Sequence, residues 1–403
     1  MSKHWILIFV SFLLLSGFAY AVDSDGDGLS DSTEASLGSS PLHKDIFVEI
    51  DWLIVNGRNY KPRPGFTEFV QSIFAAAPVL NPDGYYGIRI HLELSQGIRT
   101  NRTVMGYMDP PNDYNWTEFD SYKNLYFTPS KRGTHHYCLF AKDYGDTTGR
   151  ATGSSGISRN GTANFNAGAS DFLVTLGSDY WFNYPNAGKY KYTQAGTFVH
   201  ELGHNLGLRH GGPDHTNNKP NLLSLMNYAF QDVGIPYTRR DGVRFRIYDY
   251  SRFYLPALNE NNLNETRGLG PFASDIYGVY GTAWYVYRNG EFNGTLTWDA
   301  TSSVDWNKDG VISPSVKINI NQDVVRQGNI NYHKFSNLKT TEQWSKLVYT
   351  GGWVGASNNS LVAQLPTSTT NLRCLHDKDL LKRKLSAEDA NVRYGSYMDI
   401  FKK

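Results

Sequence analysis

The run His200-Glu201-Leu202-Gly203-His204-Asn205-Leu206-Gly207-Leu208-Arg209-His210 constrains this chain more than any other part of it. His200 and His204 lie four apart, so on a helix they stack on one face and can grip one ion. Glu201 falls about a quarter-turn around, close enough to reach a water on that ion without being a ligand. Gly207 can take the left-handed backbone that ends a helix. Three residues later, His210 can approach from another side. Three neutral imidazoles leave a fourth position for water, which is the arrangement of a catalytic zinc and not of a closed structural one. A single Zn2+ held this way lowers the pKa of its water toward ~7 and polarises a scissile carbonyl. Glu201 is then the general base that takes the water's proton and delivers it to a departing amine. Five fixed positions in this order arise by chance in roughly one of tens of thousands of chains this long, so histidines scattered on an amphipathic helix explain the run poorly.

The N-terminus bears on where such chemistry operates. Lys3 and His4 precede an apolar run from Trp5 to Tyr20, and Ala19-Tyr20-Ala21 offers small residues at the positions a signal peptidase reads. The run is shorter than the ~20 residues a bilayer core needs. A cleaved signal peptide over residues 1–21 is therefore expected, giving a secreted protein with no integral membrane segment. Sequons at Asn101, Asn115, Asn160, Asn264, Asn293 and Asn358 fit an extracellular setting. Lys plus Arg number 39 and Asp plus Glu 38, so no net field points to nucleic acid or an anionic membrane. The two cysteines, Cys138 and Cys374, could form one bridge or remain separate buried thiols, because sequence gives no distance between them.

The 403 residues, 40% of them apolar, allow one large domain or two ordinary ones. Residues 22–44 read as an appended acidic module and linker. Strands are expected at 45–52, 86–94, 135–142 and 171–177, with helices at 66–77 and from near Thr193. Residues 145–169, rich in Gly, Ser, Asn and Thr, read as a long loop, and 211–300 as mostly irregular. A C-terminal extension from 301 to 403 carries a further expected helix near 377–391.

With the histidines, Glu201 and Gly207 in view, the chain resembles the metzincin clan of metalloproteases, whose HExxHxxGxxH signature is matched at every fixed position. Leu222-Leu223-Ser224-Leu225-Met226-Asn227-Tyr228 looks like the clan's methionine turn. The resemblance implies that Met226 forms a hydrophobic floor under the metal. It also implies that Tyr228, in the Met-x-Tyr form of astacin- and serralysin-like members, ligates zinc at rest and stabilises the oxyanion. The implied fold is α+β, a two-lobed catalytic domain over residues 45–300. A twisted, mostly parallel sheet with helices lies above a zinc cleft, and the lower lobe is irregular. Protein or peptide substrates would bind extended along an edge strand. No folded inhibitory prodomain fits between the signal peptide and the first strand. His215 is expected outside the ligand set, and Phe230 and Tyr237 are candidate pocket walls.

Residues 23–34 match a twelve-residue calcium loop: oxygens from Asp23, Asp25, Asp27, Asp31 and Glu34, a carbonyl from Leu29, and glycine at Gly28. The single copy is similar to thrombospondin type 3-like repeats; a solvated acidic tail is the plainer alternative. A second loop is expected at Asp305, Asn307, Asp309 and the Val311 carbonyl, with Val316 where the bidentate acid belongs and Asp323 as a substitute. A tight Asn/Asp/Gly turn competes with that reading. One or two structural Ca2+ ions are thus expected. The leading expectation is a secreted zinc endopeptidase. Its rivals are a calcium-dependent extracellular binding protein on an inactive scaffold of this type, and a zinc amidase acting on a non-peptide substrate.

Overall fold

The computed structural model describes residues 22–109, 113–159, 170–178, 181, 190–288, 291–321, 335–349 and 392–397. The expected signal peptide, Cys374, Asp323, Asn160, Asn358 and the helix expected near 377–391 lie outside them. Within them the chain is a mixed α+β protein with four α-helices and several sheets. No described helix is long and apolar enough to cross a membrane.

The principal sheet is built on β1 (Asp45–Val55). It pairs antiparallel with the short β2 (Arg58–Asn59) and parallel with β3 (Arg89–Thr100). A hairpin of β4 (Tyr107–Asp109) and β5 (Asp113–Asn115) intervenes before β6 (His136–Phe140), which also runs parallel to β1. β7 (Gly156–Ser158) is antiparallel to β8 (Asp171–Val174), and β8 is parallel to β6. The order β2-β1-β6-β8-β7 leaves β7 at the edge. β7 falls inside the stretch expected to be loop, because three residues are too few to show alternation.

Period-two alternation divides the sheet between two cores. Ile46, Val48, Ile50, Cys138, Phe140, Phe172 and Val174 point into one, and Leu53, Val55, Tyr137, Leu139 and Leu173 into the other. α1 (Asp31–Leu37) precedes the sheet in the chain and sends no side chain into the first core. That core is closed by α2 (Phe66–Ala75), which buries Phe66, Phe69, Val70, Ile73 and Phe74, the i, i+3, i+4 spacing of one helical face. α3 (Thr117–Tyr126) covers the opposite side through Phe119. α4 (Tyr190–Asn205) sets Ala195, Phe198, Val199 and Leu202 against α2 and β8.

Residues 211–300 are less irregular than the sequence suggested. β9 (Ile235–Arg239) and β10 (Arg244–Ile247) form a hairpin around Asp241-Gly242, with Gly242 at φ 81°. The strand Gly278–Tyr280 flanks β9, and Arg393–Gly395 lies parallel to β10. A second hairpin joins Thr282–Arg288 to Glu291–Thr297. Asp-Gly and Asn-Gly dipeptides at 241 and 289 are hairpin signals; the aromatic and arginine content of the strands hides their alternation. Ala300, Val304, Trp306 and Ile320 share one core with Ile235 and Phe230, so packing runs across the boundary expected at 300. Trp344 likewise enters the first core and donates its indole N–H to Asp249 at 2.8 Å.

Candidate metal centre

α4 delivers His200, Glu201 and His204, all fully buried, in a segment with glycines at Gly196 and Gly203. Interior glycines weaken a helix by about 1 kcal/mol each, and here close packing requires them. A Cβ on Gly196 would stand 2.0 Å from the Gln231 carbonyl oxygen, and one on Gly203 would stand 2.4 Å from Met226 Sδ. The helix is therefore pressed onto the loop C-terminal to it. Met226 lies fully buried directly under the turn between the two histidines.

After Asn205 the chain stops at Gly207, whose φ is 86°. Gly207 N–H donates to the His204 carbonyl at 3.0 Å and Leu208 N–H to that of Gly203 at 2.8 Å, a left-handed helix end. This turn brings His210 back against the helix. His204 Nε2 stands 3.1 Å from His200 Nε2 and 2.9 Å from His210 Nε2.

The outer nitrogens fix the chemistry of this trio. His200 Nδ1 lies 2.7 Å from the Leu225 carbonyl and His204 Nδ1 lies 2.9 Å from the Leu208 carbonyl. A carbonyl only accepts, so both Nδ1 atoms carry the proton, and in the neutral rings both Nε2 atoms present lone pairs. Two lone pairs facing at 3.1 Å repel unless a positive charge lies between them. A proton is a poor candidate, because burial pushes His204 down to about 4. Nitrogens bound to one tetrahedral zinc at ~2.0–2.1 Å stand roughly 3.3 Å apart, so the donor set fits a cation of that kind. The three residues form one group able to hold a metal ion.

Glu201 is wholly buried beside β7: a Cβ on Gly156 would fall 2.6 Å from its Oε1. Tyr228 places its ring centroid 4.4 Å from that of His210 and 5.6 Å from that of His200. Cys138, on β6, is buried, and burial first, then the Glu201 charge, raises its thiol well above the ordinary range. His215 is exposed and outside the trio, whereas Phe230 and Tyr237 are buried in the second core.

Several positioning groups escaped the sequence. The Leu225 and Leu208 carbonyls are backbone and have no signature. Ser158 Oγ donates to the Glu201 carbonyl at 3.0 Å, and Asn205 Nδ2 donates to Ser158 Oγ at 2.7 Å, tying α4 to β7. Lys219 is buried; its Nζ pairs with Asp214 at 2.7 Å and donates to the carbonyls of Gly211 and Lys339, which staples the turn after His210. Only the two helix glycines offered a sequence signal, as unexplained departures from good helix composition.

The first aspartate loop leads into α1, whose N-cap is Ser30. Asp23 accepts from Gly26 and Gly28 N–H at 2.7 and 2.9 Å, and Asp25 accepts from Asp27 N–H at 3.0 Å. Asp27 accepts from the N–H groups of Leu29 and Asp45, each at 2.8 Å. Asp31 is turned away: its oxygens accept from Ser24 N–H and Oγ, each at 2.8 Å. Glu34 is fully buried, and burial first, then the charges of Asp27 and Asp25, raises it to about 8. Asp23, Asp25 and Asp27 form one cluster with metal-ligand spacing, and Asp27, Glu34 and Asp45 form another.

In the second aspartate loop Asp305 accepts from Asp309 and Gly310 N–H, and Asn307 bonds Asp309 from both its Oδ1 and its Nδ2. Val311 N–H donates to Asp309 Oδ1 at 2.8 Å, and its side chain is exposed. The structure brings an acid to this loop from elsewhere in the chain: buried Glu265 accepts from Asn307 N–H at 3.2 Å and Ser313 N–H at 2.9 Å. Compared with known protein families and with curated proteins, the chain matches none.

Proposed function

We propose that this chain is a secreted zinc-dependent endopeptidase of metzincin type, cleaving protein or peptide substrates, with calcium as a structural ion at residues 23–34. The observation that carries the reading is the pair of facing Nε2 atoms on His200 and His204, held unprotonated by the Leu225 and Leu208 carbonyls and completed by His210. Zinc bound by these three imidazoles would supply Lewis acidity and bring the pKa of a water toward ~7.

The other roles belong to the chain. Glu201 comes directly after His200 on the same helix, so its carboxylate would stand beside that water without competing for the ion. It takes the water's proton as oxygen attacks the carbonyl carbon, then passes it to the amide nitrogen as the C–N bond breaks. Tyr228, against His210, donates its phenol hydrogen to the carbonyl oxygen as negative charge gathers there. An extended substrate that pairs with β7, the edge strand beside Glu201, would have to displace what buries it.

Glu201→Gln tests the assignment, because it keeps the side chain's shape and removes the base. The variant should retain about one zinc per chain by elemental analysis and lose roughly 10²–10⁴-fold in casein and peptide hydrolysis. His210→Ala should lose the zinc as well. Wild-type protein that contains no zinc when purified without chelators would end the zinc reading. Zinc-loaded protein inert toward proteins and peptide libraries would instead favour a binding role, and cleavage of non-peptide amides alone would favour the amidase.

A further inference from the structure

Three carboxylates of the N-terminal region meet at one place. Asp27, Glu34 and Asp45 are all buried, and they offer oxygens within 4.8 Å of one another. Asp45 does not belong to the loop of residues 23–34; it is the first residue of β1, the strand of the principal sheet that pairs with β2, β3 and β6. Asp31, which the loop pattern assigns to the ion, is engaged with Ser24.

Glu34 is 0% exposed, and neither of its carboxylate oxygens has a hydrogen-bond partner. Asp45 Oδ2 and Asp25 Oδ2 are buried and unpartnered in the same way. An ionised carboxylate removed from water without a donor is strongly disfavoured, and several together repel one another. The neighbouring cations do not resolve this. His91 engages the other oxygen of Asp45, with Nε2 to Oδ1 at 2.5 Å, while its ring stacks on Phe47 at 4.3 Å. Lys44 acts on Asp25, and Glu34 keeps no donor. His91 engages one oxygen of Asp45, and the other is buried without a partner. The unpartnered atoms are all hard oxygens, the ligand type of Ca2+, which takes six to eight of them.

We propose that a calcium ion is held jointly by the N-terminal loop and by Asp45, so that the ion fastens residues 23–34 to the first strand of the sheet that supports the candidate active site. The clamp rests on the proposed calcium role of residues 23–34 and adds Asp45 to the ligands. Residues 22–44 then act as a metal-dependent clamp on the sheet and not as a freely tethered module. The Asp27 side chain already bridges the two parts by accepting from Asp45 N–H at 2.8 Å.

The test uses the full mature chain, stripped of calcium with a calcium-selective chelator and with zinc resupplied. Calcium affinity is read by calorimetric titration and stability by thermal unfolding. Saturating calcium should raise the wild-type Tm by roughly 3–5 °C. At the same calcium concentration Asp45→Asn should weaken calcium binding at least ~10-fold and remove about half or more of that rise. Asp31→Asn should leave the affinity within about threefold of wild type, since the Asp31 carboxylate faces Ser24. Should Asp45→Asn fail to fold, Asp45→Glu keeps the charge but displaces the oxygens, and the same loss is expected. If the Asp45 variants bind calcium like wild type while Asp25→Asn does not, the loop binds alone: the clamp is overturned and the calcium reading survives. If wild type itself binds no calcium, both fall, and the zinc assignment is untouched.

Discussion

Two loops with the same alternating acids and glycine reach different ends in this molecule. At 23–34 and at 305–310 the first aspartate caps the backbone alike: Asp23 accepts from Gly28 N–H at 2.9 Å and Asp305 from Gly310 N–H at 2.8 Å. The turn is therefore a property of the local pattern. Beyond the turn the two loops diverge. In the first loop Asp25, Asp27 and Glu34 are buried, and oxygens are left without donors. In the second, Asp309 is exposed, Asn307 bonds it directly, and Glu265 directs both oxygens at loop N–H groups. One loop is short of positive charge, whereas the other satisfies itself. An acidic pattern makes a turn; burial without donors makes the demand for a cation.

The largest effect that would break this comparison is expected at Glu265. Glu265→Ala removes a buried carboxylate from two N–H donors and should cost about 3 kcal/mol, since hydrogen bonds to charged groups contribute ~1.5–3 kcal/mol each. Chemical denaturation should give the same loss in calcium and in chelator. A loss seen only in calcium would place the second loop in the same class as the first.

Calcium withdrawal comes next. At a hundredfold excess over Kd the ion stabilises by about 2.7 kcal/mol, and chelation should remove that amount. Glu34→Gln should make the protein indifferent to chelation, while Asp305→Asn should leave the response intact. The reverse pattern would exchange the roles of the loops.

Protons sharpen the same contrast. In calcium-free protein burial raises Glu34 from its ordinary 4.5 to about 8 and Asp27 from 3.8 to about 6. A raised carboxylate binds its proton more tightly in the folded state than in the unfolded one. That stability is fully present below the unfolded values and is lost as pH rises through about 6 and then about 8. Calcium-free protein should therefore melt lower at about pH 8.5 than at about pH 5, and saturating calcium should flatten or reverse the trend. A calcium-free melting temperature that rises over this interval would contradict the buried, donor-poor arrangement.

The smallest effect is expected at Asn307. Its side chain is half-buried and its partner Asp309 is exposed, so Asn307→Ala should change stability by less than about 1 kcal/mol. A larger, calcium-linked loss would show that the second loop too depends on an ion.

The parts of the fold that were legible share a property: their signals are short in range and strong. The apolar spacing of Phe66, Phe69, Val70, Ile73 and Phe74 announces α2, and the run Ile46-Phe47-Val48-Glu49-Ile50 announces β1. The hairpins beyond residue 235 were hidden because Tyr237, Arg244 and Arg246 break any simple alternation of apolar and polar. β7 was hidden by its length, and with it the closeness of Gly156 to Glu201. The packing of Val304, Trp306 and Trp344 into cores shared with earlier residues was equally invisible, since nothing local marks which core a tryptophan enters.

The sequence by itself determined that His200, Glu201 and His204 share a helical turn and that Gly207 ends it, because a 3.6-residue period and a glycine's freedom at positive φ act within a few residues. Only the tertiary structure decided which carbonyls hold the protons on the outer nitrogens of the imidazoles. It also decided that Met226 lies beneath Gly203, that Asp45 and not Asp31 faces Glu34, and that Glu265 closes the second loop. Each of those contacts joins residues brought together by burial of apolar surface elsewhere in the chain. That driving force is non-directional, so it does not specify which distant residues meet.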